Sequence, residues 1–266
     1  VIAVVAPTEA YRAAVAELPL RTRLGDQAAG AVVVVPGETG WVHRVVVAAE
    51  AGARAIVVAD PEPAPVAELR QLAERIRVPL VVERPLLRAD AALDATAARA
   101  REVGGARPRA IVLDGGAAAA RLDVVARDAI GWGRVLAGQA PVLRSADRGL
   151  ALLEAPDGIA LALSVVATRR PGRGWIRAQV LGEILTEVDV EGRGCRIAVS
   201  TAGGQMIAPT RFESSERLAV RRALEAVDAF EAVQAGAADG ADARPDDLSD
   251  LIADTESVEQ ILRSRA

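Results

Sequence analysis

The 266-residue chain predicts an α/β fold in two parts, and three patterns carry that reading. Runs such as Val1–Ala6 and Ala31–Val35 are apolar at every position, as strands buried on both faces are. Over residues 1–88 such runs alternate with helical stretches, which predicts βαβ units, right-handed crossovers and a truncated parallel sheet. From Val142 to Ala208, short strands broken by Asp157-Gly158, Pro171-Gly172, Gly192 to Gly194 and Gly203-Gly204 predict hairpins. Residues 89–266 therefore read as an α+β domain with a large, mostly antiparallel open sheet and C-terminal helices packing back.

In chain order, Val1–Ala6 is a buried strand, and Thr8 an N-cap for a helix over Glu9–Leu18. Leu20–Leu24 is a short strand and Ala31–Val35 a buried one. Pro36, Gly37 and Gly40 turn the chain into a helix over Trp41–Ala51, closed by Gly52. Ala55–Val58 is a strand. Pro65 suits the first position of a helix over Val66–Arg77, and Leu80–Val82 is the next strand. This half is Rossmann-like in architecture. A helix over Ala91–Val103 is stopped by Gly104, Gly105 and Pro108. Arg109–Leu113 is a strand, and Asp114-Gly115-Gly116 reads as the turn before a long helix over Ala118–Ala137. After the hairpins come a helix over Ser214–Val233, a flexible acidic loop over Gly236–Pro245, and a last helix capped by Asp246. That helix has an apolar stripe through Leu248, Leu251, Ile252, Thr255, Val258, Ile261 and Leu262.

The strand Ile159–Thr168 has two distinct faces. Ile159, Leu161, Leu163, Val165 and Ala167 form a core face; Ala160, Ala162, Ser164, Val166 and Thr168 form a small, mildly apolar one. The second face is either solvated or an oligomer interface.

Composition narrows the chemistry. The chain has no lysine and no asparagine, so its 32 basic residues besides His43 are all arginine. A Schiff-base lysine and a Walker-type phosphate lysine are excluded. A net charge of −4 offers no basic stripe for a nucleic acid. One cysteine, Cys195, excludes an internal disulfide and fits a reducing cytoplasm. With one histidine beside it, a zinc site of the usual nitrogen and sulfur ligands is excluded, and no metal is expected. No apolar run reaches the roughly 18 residues of a membrane span. The chain opens on Val1 inside a strand, read either as a start codon written as valine or as a chain with residues upstream.

Several stretches together resemble one family. VVVVPGETGWVHRVVVAAEAG, AIVVADP, APVAELRQLAERIRVPLVVERP, AARAREVGGARPRAIVL, RLDVVARDAIGWGRVLAG and VLGEILTEVDV occur in the order of the corresponding elements of the Gfo/Idh/MocA family of NAD(P)-dependent sugar and polyol oxidoreductases. The resemblance covers about residues 31–262. It implies an N-terminal dinucleotide-binding domain and a C-terminal sheet domain that carries the substrate and often makes the dimer. Pro36, Gly37 and His43 then fall at the cofactor side of the cleft, and Asp60, Asp123 and Arg127 are its candidate reacting groups.

The departures lie where that family performs its chemistry. VIAVVA runs into Pro7-Thr8-Glu9 with no glycine-rich loop. Asp60 stands at the family's catalytic lysine; in a rival register ending Glu83-Arg84-Pro85, Arg84 does. The Asp and His that the family spaces by four on its long helix are here Asp123 and Arg127, residues that a plain i, i+4 ion pair also explains. The expectation is a protein that has lost dehydrogenase chemistry and serves as a small-molecule-binding, regulatory or scaffold subunit. It would have no cofactor, and would form a homo-oligomer through its sheet or associate with a catalytic paralogue. The alternative is an NAD or NADP-dependent oxidoreductase with a non-lysine proton relay.

Overall fold

The computed structural model describes residues 1–103, 108–147, 149–169, 172–192, 194–236, 245 and 247–264. The expectations for Gly104, Gly105, Arg170, Pro171, Asp246 and most of the acidic loop fall outside them. The chain divides into two compact units, Val1–Arg84 with Glu213–Ile252, and Pro85–Phe212 with Ala253–Ala266.

The first unit begins with β1 (Ile2–Val5), α1 (Glu9–Ala16), β2 (Thr22–Leu24), β3 (Val32–Pro36), α2 (Trp41–Glu50), β4 (Ala55–Ala59), α3 (Val66–Arg75) and β5 (Leu80–Glu83). Its sheet is parallel throughout, in the order β2-β1-β3-β4-β5. Alternate residues of each strand point to opposite faces. Val33, Val35, Ile56 and Val58 pack with Trp41 and Val45 of α2 and Leu69 and Leu72 of α3. Val32, Val34, Ala55 and Val57 pack on the other face with Tyr11, Ala14 and Val15 of α1. Pro65 stands at the N-cap of α3, one place before the expected first helical position.

The second unit holds α4 (Ala89–Val103), β6 (Ala110–Ala117), a 3₁₀ turn (Ala119–Arg121), α5 (Leu122–Ala137), β7 (Val142–Asp147), β8 (Leu150–Glu154), β9 (Ala160–Ala167), β10 (Trp175–Leu181), β11 (Leu185–Glu191), β12 (Gly194–Thr201) and β13 (Gly204–Ile207). The eight strands run β13-β12-β11-β10-β6-β9-β8-β7, antiparallel except for the β6–β9 pair. One face is core: Ile111, Leu113, Leu161, Ile176, Val188 and Ile197 meet Ala95 and Ala98 of α4 and Ile130 and Trp132 of α5. The Trp132 indole is fully buried and donates to the Leu86 carbonyl at 2.8 Å.

One reading of the sequence is corrected here. Asp114-Gly115-Gly116 is not a turn, because β6 runs on through Ala117. A Cβ on Gly115 would lie 2.7 Å from Val125 of α5, and one on Gly116 would lie 2.7 Å from the Trp175 indole nitrogen. The two glycines make room on the two faces of the strand.

The last helices are α6 (Ser215–Gln234), with Ser214 as its N-cap, and α7 (Asp247–Arg263). The sequence expected the C-terminal helices to pack back, and α6 groups with the first unit. Ala219, Val220, Ala223, Leu224 and Val227 fill the sheet face that α1 only partly covers. A parallel sheet requires cover on both faces, and α6 supplies it. Arg222 forks onto Asp247 at 2.9 and 2.7 Å, and Asp247 also accepts the Val82 amide of edge strand β5 at 2.8 Å. Leu248 and Leu251 of α7 pack in the first unit, Val258 and Ile261 in the second; Leu262, expected in the same stripe, is 41% exposed.

Candidate functional site

Strand order locates the crevice of the first unit. The chain leaves β1 for β2 on one side, while β3, β4 and β5 extend on the other. In doubly wound sheets ligands bind outside the C-terminal ends of the strands at such a reversal. Here the reversal lies between the turns that follow β1 (Ala6–Thr8) and β3 (Gly37–Gly40).

The turn after β3 is locked to the one after β4. Gly37 donates to the Ala59 carbonyl at 2.8 Å and accepts the Glu62 amide at 2.7 Å. Thr39 Oγ1 donates to Glu62 Oε2 at 2.8 Å, and the buried Trp41 indole donates to the Glu62 carbonyl at 3.0 Å. Arg44 draws the remaining carbonyls together, with Nη1 on Thr39 at 2.9 Å and Nη2 on Pro36 and Glu38, each at 2.8 Å. A Cβ on Gly37 would lie 2.4 Å from both the Ala59 oxygen and the Pro61 Cα. Its bare backbone is therefore used against the neighbouring turn. The Pro36 carbonyl is likewise engaged by Arg44.

Asp60 follows β4 with φ +48°, the one positive φ outside glycine among the described residues. Its amide donates to Glu83 at 3.0 Å, and it precedes the buried Pro61. A left-handed residue before proline is held by its surroundings, since the backbone alone disfavours it. His43, third residue of α2, is exposed, because Trp41, Val45, Val46 and Ala48 define the buried side of that helix. The unit also buries Glu83 and Arg84, and Tyr11 donates to Glu83 Oε2 at 3.2 Å.

In the second unit Asp123 is exposed in the first turn of α5, while Arg127 is buried and pairs with Asp128 at 3.1 Å. The Asp123–Arg127 pair suggested by their spacing is replaced by this buried one. Cys195 lines a cavity of about 20 Å³, with room for one water, beside Arg88, Asp94 and Arg211. Arg211 forks onto Asp94 through Nε and Nη2, each at 2.7 Å. Burial pushes the Cys195 thiol up to about 12, so it is not a nucleophile. Thr201 Oγ1 accepts the Gly203 amide at 3.1 Å, which ties that hydroxyl into its hairpin. Among the described residues no cluster of three His, Cys, Asp or Glu side chains is placed to hold a metal ion. Nor is any helix among them long and apolar enough to cross a membrane.

The face of the eight-stranded sheet opposite its core has two characters. On β10, β11 and β12 it carries an ion ladder, Arg177–Asp189 at 2.6 Å and Arg196–Asp189 at 3.6 Å. On β7, β8 and β9 it exposes Val142, Leu150, Leu152 and Val166 beside the ion pair Arg144–Glu154 at 2.9 Å. A groove of about 370 Å³ runs there between Val112, Leu150, Leu152 and Ala162, with Asp114 and Asp147 at its wall.

Arg44 and the Tyr11–Glu83 pair escaped the sequence reading. A charged residue closing the apolar strand LVVE was the available signal for Glu83; nothing local marks Arg44, whose partners lie on the preceding turn.

No family model matches the sequence, and no curated protein sequence does. Solved structures do match. UDP-N-acetylglucosamine 3-dehydrogenase GnnA from Acidithiobacillus ferrooxidans is similar with a TM-score of 0.67 at 14% identity, over 99% of this chain and 97% of that one. An inositol dehydrogenase homolog from Azotobacter vinelandii, complexed with NADH and myo-inositol, gives 0.67 at 15% identity, over 88% and 76%. Aldose-aldose oxidoreductase from Caulobacter crescentus, complexed with glycerol, gives 0.60 at 16% identity, over 88% and 76%. The chain shares the fold of these oxidoreductases, a Rossmann-like parallel sheet joined to a large, mostly antiparallel one.

Proposed function

We propose that this chain is a non-catalytic member of the Gfo/Idh/MocA family, a small-molecule-binding, regulatory or scaffold subunit. One observation carries the reading: the lysine and the histidine that the family uses for proton transfer are both replaced, by Asp60 and Arg127. Oxidising a sugar or polyol hydroxyl requires a group that takes the proton as the hydride leaves. Arg127, where the family has histidine, is a buried cation paired with Asp128, and arginine keeps its proton. The lysine position is held by Asp60, and the chain has no lysine elsewhere. The fold shared with sugar and polyol oxidoreductases supports the lineage.

Self-association through the outer sheet face fits this role. Val142, Leu150, Leu152 and Val166 are exposed there, and Leu150 and Leu152 line an apolar groove of the kind that marks interaction surfaces. A catalytic paralogue with a matching face is the other partner of this type.

A second reading is favoured by the geometry of Asp60. Residues held in a sparsely populated backbone region cluster at functional sites. In that case the protein is an NAD(P)-dependent oxidoreductase of a sugar or polyol, with the Asp60 carboxylate as proton acceptor. Spectrophotometric assay of NAD⁺ and NADP⁺ reduction with a panel of aldoses and polyols decides between the two. No turnover is expected; turnover abolished by Asp60→Asn would establish the second reading.

A further inference from the structure

We infer that the first unit is closed to dinucleotides, because its β1–α1 turn caps itself and carries a carboxylate where a pyrophosphate would lie. This goes beyond the missing proton donors, since a site without them can still hold a cofactor.

A dinucleotide site at the strand-order reversal needs three things from the chain. It needs free amides at the start of the first helix, backbone without Cβ atoms so that phosphate comes close, and a local field that favours negative charge. The turn after β1 meets none of them in full. Pro7 has no amide. Thr8 is the N-cap of α1, its hydroxyl accepting the Tyr11 amide at 3.5 Å and its carbonyl accepting the Arg12 amide at 3.0 Å. No glycine stands between β1 and α1, so Pro7, Thr8 and Glu9 all present Cβ atoms. Glu9 is exposed in the first turn, where its carboxylate complements the helix dipole in place of a phosphate.

The opposite wall offers no substitute. The bare backbone of Gly37 is pressed against Asp60 and Pro61, and its amide is spent on Ala59. The guanidinium of Arg44 is turned onto the carbonyls of Pro36, Glu38 and Thr39. Glu38, exposed on this turn, adds a second carboxylate. The residues do not fit a dinucleotide, and the crevice suits neutral or cationic ligands.

Titration of the full chain with NADH and with ADP, followed by the fluorescence of Trp41 and the other tryptophans, tests this. The wild type is expected to show no saturable signal, and the double variant Pro7→Gly/Glu9→Gly to bind ADP at least about tenfold more tightly than the wild type. Low-micromolar NADH binding by the wild type overturns the inference. Equally weak binding by wild type and variant overturns it too, since Pro7 and Glu9 would then not set the exclusion. Should the double variant not fold, Glu9→Gln removes only the charge and is held to the same two outcomes. Turnover is a separate readout: NADH binding without turnover would sink this inference and leave the proposed function standing.

Discussion

In β4 of the first unit, the consecutive residues Ile56 and Val57 are both fully buried; in β8 of the second, Leu153 is fully buried while Leu152 is 46% exposed. The cause is cover. The parallel sheet has α2 and α3 on one face and α1 and α6 on the other, whereas the antiparallel sheet packs α4 and α5 on a single face. A strand apolar at every position therefore reports two covered faces, and an alternating one reports one. β8 departs from that rule in an informative way. Its residues on the uncovered face are Leu150 and Leu152, and leucine there adds nothing to the stability of a solvated sheet. Such residues are expected where another surface, not water, is the working neighbour.

The largest effect should come from the covered face of the second sheet. Trp132→Ala removes a fully buried indole and leaves the Leu86 carbonyl unpaired. A loss of about 3–5 kcal/mol is expected in urea unfolding. A loss below about 1 kcal/mol would mean that α5 does not anchor this core.

Neighbouring-residue scans sharpen the comparison next. Leu153→Ala should cost about 2–5 kcal/mol and Leu152→Ala less than about 0.5, a contrast between adjacent positions. In β4, Ile56→Ala and Val57→Ala should each cost more than about 1.5 kcal/mol, with no such contrast. Equal losses at Leu152 and Leu153 would break the distinction between the two sheets.

How much of this was open to reading from sequence follows from the range of the causes. The strands of the first unit fall within two residues of their expected bounds because apolar runs and Gly or Pro punctuation are local signals. His43 on the exposed side of α2 was also readable, since the spacing Trp41, Val45, Ala48 fixes the buried side. The role of Gly115 and Gly116 was not, because what they accommodate, Val125 and Trp175, becomes adjacent only in the folded sheet. The surface that α6 covers was hidden for the same reason: an abbreviated sheet needs cover, but nothing in Ser215–Gln234 says which sheet it will cover. In the candidate site the sequence marked Gly37 as a turn residue and Asp60 as a reacting group, and could not show that the turns after β3 and β4 brace one another.

That brace is the third test. Gly37→Ala puts a methyl group 2.4 Å from the Ala59 oxygen and the Pro61 Cα, both backbone atoms that cannot swing aside. Overpacking of this kind costs about 1–3 kcal/mol, so thermal unfolding should fall while the second unit keeps its packing. The near-ultraviolet circular dichroism of Trp41 would report the loss of its hydrogen bond to Glu62.

The smallest expected change in stability is also the one that decides what the uncovered face is for. Leu152→Asp places a charge on an exposed position of β8, so the monomer should shift by less than about 0.5 kcal/mol. If the β7–β9 half of that face is covered by a second copy, the same substitution desolvates an unpaired carboxylate in the interface and drives the copies apart. Light scattering coupled to gel filtration should then give a single-chain mass for Leu152→Asp and twice that for the wild type. Arg177→Ala on the ladder half serves as the comparison, because Arg177 already has Asp189 as its partner within the chain and loses little on rim exposure. A wild-type chain that is monomeric at micromolar concentrations would remove self-association from the proposal and leave the paralogue as the partner to seek.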